Sequence, residues 1–156
     1  MSDAPCSSPE ARQLDFWLGE WDLSWPAQQT GGEPGERLTG RNSITRLFDN
    51  CVIEENFTTR DGGYRGHSVS LYDERAAVWR QTWVDSSGSY LWFTGGVVDG
   101  VMVFATEPTE RDGEIVVNRM VFNDVTPDSL EWAWQRSSDV GRSWTDLWNI
   151  SYVRRV

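Results

Sequence analysis

The chain has 156 residues, a net charge of −10 and ten Trp alongside six Phe and four Tyr. A single domain of that length buries about 70% of its unfolded surface, so a core is attainable without staples, and it must be an aromatic one. All 14 basic residues are Arg, which excludes Schiff-base chemistry and a P-loop lysine, and the acidic balance disfavours nucleic acid and anionic membrane as partners.

Residues 1–12 are polar, carry no apolar secretory core and read as a flexible tail. No apolar run approaches the ~20 residues of a membrane span, and a cytoplasmic protein is expected. Residues 13–156 read as one domain. Leu14, Trp17 and Leu18 fall at i, i+3 and i+4, which predicts a short helical turn over 13–18. Helical periodicity then ends. Trp21, Leu23 and Trp25 alternate with Asp22 and Ser24 until Pro26. Residues 29–36 form a Gly-rich loop. Strands are predicted at 39–48, 51–59, 64–72, 77–84 and 89–94. Further strands follow at 97–105 around Asp99-Gly100, then at 114–122, 129–136 and 143–153. About ten short strands with turns every 8–12 residues indicate an all-β antiparallel fold, and a meander of hairpins favours a closed barrel without exposed edges.

Gly19-Glu20-Trp21 opens the first strand, and Arg154 and Arg155 close the last. This resembles the G-x-W signature of lipocalins and the wider calycin group. The resemblance implies that Trp21 closes the barrel base under a terminal Arg such as Arg154, with Gly19 beside it. The segments 14–25, 71–88, 95–104 and 137–155 resemble, in order, a bacterial calycin-like family of uncharacterised function. That family shows F-W-[IL]-G-x-W-[DE], Y-D…W-x-Q-x-W-V-D-x-x-G, G…G-x-M-x-[LF], S-x-D-G-G-x-[ST]-W and a closing Y-x-R. Here Asp139-Val140-Gly141 replaces the D-G-G turn, and Trp148-Asn149-Ile150 stands where F-D-G is usual. The resemblance implies a calycin-like barrel with a helical plug and supplies no activity.

Trp79, Gln81, Trp83 and Asp85 share one strand face by period-2 spacing. They line either a filled core or a cavity for a flat ligand. Trp132 and Trp134 form a second same-face pair, and Trp144 and Trp148 a third. Arg119 lies mid-strand; inside a barrel it needs a partner, with Glu55 or Glu54 as candidates, and it could bind a ligand carboxylate. The expected binding residues are Trp79, Gln81, Trp83, Arg119, Trp132, Trp134 and Trp148, holding a small apolar or aromatic molecule. A cofactor-free cyclase, isomerase or hydratase is the alternative, with His67, Glu55, Tyr64 and Arg119 as candidate acid–base groups. His67 is the only imidazole, so no multi-histidine metal site exists, and its strand-end position reads first as a surface residue. Cys6 and Cys51 are too few for a disulfide framework and lack metal-ligand spacing. No cofactor is expected, and a homodimer stays open.

Overall fold

A computed structural model describes residues 4–156. Strands β1 (Gly19–Pro26), β2 (Arg37–Leu47), β3 (Val52–Thr59), β4 (Arg65–Asp73), β5 (Val78–Asp85), β6 (Tyr90–Val98) and β7 (Val101–Ala105) run as a meander. They are followed by β8 (Thr109–Arg111), β9 (Glu114–Asn123), β10 (Ser129–Ser137) and β11 (Thr145–Arg154). The hydrogen-bonded order is β10-β11-β1-β2-β3-β4-β5-β6-β7-β9-β8, and β10 also pairs with β9. That second pairing closes an antiparallel barrel of every strand except β8, which pairs with β9 alone. Closure leaves no long edge to template another chain.

The turns follow from local chemistry. Asp99-Gly100 and Asp112-Gly113 both take left-handed backbone at each residue, the geometry that two-residue hairpins require. The loop expected over 29–36 begins as a 3-10 turn, Ala27–Thr30, that packs on β11 through Gln29.

One barrel end is closed. The helical turn expected over 13–18 is a tighter 3-10 turn, Asp15–Trp17, with Leu14 and Trp17 fully buried. Trp21 lies beneath it and donates from Nε1 to the Trp17 carbonyl at 2.8 Å. The Arg154 guanidinium stacks 4.1 Å from the Trp21 ring centroid. It also donates to the carbonyls of Leu18 (2.6 Å), Pro127 (2.8 Å) and Phe16 (3.3 Å). A planar cation suits both tasks at once. Gly19 makes room for it: a Cβ there would lie 2.3 Å from Arg154 Nη1.

The segment before the plug is anchored. Residues 1–3 of the stretch expected as a tail lie outside the described residues. Cys6, for which the sequence offered no partner, is disulfide-bonded to Cys51 in the turn between β2 and β3. Arg12 donates to the carbonyls of Cys6 and Asn50, and Ala11 is buried within a 3-10 turn, Glu10–Arg12. The largest fully buried side chains are Trp17, Trp21, Trp79, Phe104 and Phe122, with Trp25 buried toward the other end against Phe57 and Trp148.

Candidate functional site

In the half of the barrel away from the plug the inward side chains touch at their edges, as Phe93 does Trp134 and Phe57 does Trp148, but do not fill the lumen. They leave a cavity of about 260 Å³. Trp17 forms its floor. Phe93 on β6, Met120 on β9, Trp132 and Trp134 on β10, and Ile150 on β11 make an apolar wall. Glu55 on β3, Gln81 on β5 and Tyr152 on β11 face it. Phe57, Tyr64, Trp83, Asp85, Leu91 and Trp148 ring the mouth, where most of the side chains are half-buried.

The polar wall survives burial because its members bond one another. Asn42 Nδ2 donates to Glu55 Oε2 (2.6 Å) and to the Tyr152 hydroxyl (2.9 Å). Ser68 donates to Glu55 Oε1 (2.7 Å), and Gln81 Nε2 donates to Ser70 (2.8 Å). The result is a belt across β11, β2, β3, β4 and β5. Burial raises the Glu55 carboxyl above its ordinary value, while the hydrogen bonds from Asn42 and Ser68 and the nearby His67 pull it down. Tyr152 is pushed far above its usual range, first by burial and then by Glu55. Asn42 Oδ1 and the indole nitrogens of Trp17 and Trp148 are buried without a partner among the described residues.

Asp85 organises the mouth. Its Oδ2 accepts from the Tyr64 hydroxyl (2.8 Å) and from Trp83 Nε1 (2.9 Å), and its Oδ1 accepts from Ser87. Burial works to raise Asp85, but the bonds from Ser87, Trp83, Tyr64 and the Ser89 backbone together hold it well below the carboxylate range. Burial and the bond to Asp85 push Tyr64 well up. Gly66 on β4 supplies space for the Trp83 ring, since a Cβ there would lie 2.0 Å from it.

The sequence-derived residues divide. Gln81, Trp83, Trp132, Trp134 and Trp148 line the cavity. Trp79 shares their inward face but sits toward the plug, 2% exposed, against Tyr72 and Phe104, with Nε1 on Gln13 Oε1 at 3.3 Å. Among the acid–base candidates Glu55 and Tyr64 reach the cavity. His67 does not: it faces outward, with Nε2 3.0 Å from Glu54 Oε2. Arg119 also lies outside the lumen, so the expected pairing with Glu55 or Glu54 is not made. Its Nε donates to Gln135 Oε1 at 2.7 Å, and its guanidinium stacks 3.8 Å from the Trp144 ring centroid. Met120, the next residue, takes the inward place instead.

Asn42, Ser68 and Ser70 were missed. For Ser68 and Ser70 the signal was a strand of inverted polarity: on β4 both are fully buried while Leu71 is 39% exposed.

A family model described as protein of unknown function (DUF1579) matches residues 7–154. The chain belongs to that family. No curated protein matches it. Among the described residues no helix is long and apolar enough to cross a membrane.

Proposed function

We propose that the barrel binds one small, flat, apolar or aromatic molecule in the cavity opposite the plug. The cavity itself carries this reading: about 260 Å³ with Trp83, Trp132, Trp134 and Trp148 in its lining. An apolar cavity of roughly 150 Å³ accepts benzene, and drug-sized pockets begin near 300 Å³. The fit is therefore a molecule of one or two rings. The likeness to calycin barrels supports the reading as analogy, since folds host many functions. Native mass spectrometry of protein purified from its own source tests it: a co-purifying organic molecule of that size is expected. Protein that carries none, and whose Trp fluorescence does not respond saturably to a panel of one- and two-ring aromatics, would refute it.

A second reading, a cofactor-free enzyme on an enclosed apolar substrate, is favoured by one observation. Two carboxyl groups, Glu55 and Asp85, line a largely apolar cavity, and Glu55 is the buried one.

A further inference from the structure

We propose that Glu55 is a general base acting on a carbon acid held in this cavity, with the Tyr152 hydroxyl donating to the oxygen that gains charge. The proposal rests on the reading that the cavity takes an organic molecule. Three observations carry it. Glu55 lines the cavity, and each carboxyl oxygen accepts only one hydrogen bond from the described residues, from Asn42 and from Ser68. A carboxylate oxygen can accept more, so lone pairs remain for a substrate proton. Tyr152 also lines the cavity and accepts from Asn42, yet its own hydrogen has no acceptor among the described residues. Both groups bond the same Asn42 nitrogen, at 2.6 and 2.9 Å, so they stand close enough to address neighbouring atoms of one planar substrate.

The other acidic group at the site is unsuited. Asp85 is engaged by Tyr64, Trp83 and Ser87, and those bonds hold it as a weak base. Tyr64 spends its hydrogen on Asp85.

The reaction class is proton relocation beside a carbonyl. Glu55 takes the proton; the C–H electron pair forms a carbon–carbon double bond, and the carbonyl pair moves onto oxygen, where Tyr152 donates. Glu55 then returns the proton to a conjugated carbon, and the carbonyl re-forms. Nothing is oxidised or reduced, and Glu55 is regenerated. The facing indoles match the planar intermediate.

The test uses nitrobenzisoxazole, a flat two-ring probe. A base removes its ring C–H proton, the electron pair forms a nitrile, and the N–O bond breaks to give a coloured phenolate. Binding is followed separately by quenching of Trp fluorescence. Turnover by the parent is expected to exceed that of Glu55→Gln by about a hundredfold or more, with quenching affinity preserved. Tyr152→Phe should lose about tenfold. The rate should rise with pH through one ionisation above the ordinary glutamate range. Burial raises that ionisation against Asn42, Ser68 and His67; Tyr152, Tyr64, Glu54 and Asp85 are the other titratable groups around it. Glu55→Asp keeps a carboxyl one methylene back and should retain reduced turnover, which guards against a Glu55→Gln that fails to fold. Saturable quenching with turnover indifferent to Glu55, or abolished instead by Asp85→Asn, overturns the proposal alone. Absence of saturable quenching by this probe in the parent overturns the proposal; the binding reading falls with it when the aromatic panel also fails and no molecule co-purifies.

Discussion

The two ends of the barrel use the same residue type for opposite ends. At the plug, Trp21 is fully buried, its nitrogen is bonded to Trp17 and its face is covered by Arg154. At the mouth, Trp83 is half-buried, its nitrogen is bonded to Asp85 and its inner face borders open space. An indole whose face and edge are both satisfied by protein serves as structure. An indole whose edge is satisfied while its face is left uncovered is positioned for a ligand. The lumen repeats the contrast across its width, with a bonded polar belt opposite an aromatic wall.

Replacement of each Trp breaks that comparison most directly. Trp21→Ala should cost about 3–5 kcal/mol, because it opens a cavity and removes the ring on which Arg154 stacks. Trp83→Ala should cost less, about 1–2 kcal/mol, because the ring is only partly buried and its inner face borders the cavity, yet it should abolish aromatic-probe binding. Urea unfolding beside fluorescence titration checks both; equal destabilisation would mean the two ends do not differ as described. The plug offers a second contrast. Cys6 and Cys51 are 45 residues apart, and closing a loop of that size is worth about 4 kcal/mol in the chain-entropy account. Reduction should lower Tm by roughly 8–15 °C and loosen the plug end first, seen as earlier amide exchange at Trp17 and Leu18 than at Trp83. Thiol trapping in freshly lysed source cells should recover Cys6 and Cys51 joined to each other.

The polar belt has a smaller, pH-dependent signature. Glu55 is raised above its ordinary 4.5 in the folded chain, so the folded state binds more protons there than the unfolded state. Stability from this group is present below that value and is lost as pH rises through the folded value. Glu55→Gln should therefore gain on the parent between mildly acidic and neutral pH in urea titrations. Asp85 acts in the opposite sense, contributing above 3.8 and losing its contribution as pH falls further.

Much of the frame was legible because antiparallel strands with one buried face alternate, and because Asp-Gly turns announce themselves. What was illegible has particular causes. On β9, Val116 and Val117 and then Met120, Val121 and Phe122 place apolar residues on both faces, so parity did not reveal that Arg119 points outward. Period-2 spacing assigns a face but no depth, and Trp79 is separated from the cavity by depth alone. The belt reads backwards in a pattern search, since Asn42, Ser68, Ser70 and Gln81 are polar residues on the buried face. Their inversion beside Glu55 is the trace the buried polar belt leaves in the sequence. The Cys6–Cys51 bond joins residues 45 apart with no local signal to pair them.

The smallest effect expected is a gain. The turn between β10 and β11 runs Asp139-Val140-Gly141, where the resembled family has D-G-G. Val140 is held at φ +63° and is 69% exposed, so its side chain returns little packing energy. Left-handed backbone costs a non-glycine residue about 1–2 kcal/mol, and β-branching makes it worse. The turn nevertheless persists, because Asp139 accepts from Ser137 and Ser143, and Ser137 Oγ accepts from the Gly141 N–H. Those bonds involve no side-chain atom of residue 140. Val140→Gly should therefore keep the turn and stabilise the chain by about 1 kcal/mol, the strain relieved less the entropy that glycine gains when unfolded. Val140 lies outside the cavity lining, so probe binding should be unchanged. A loss of stability in Val140→Gly would show that the valine makes a contact in solution that its exposure conceals.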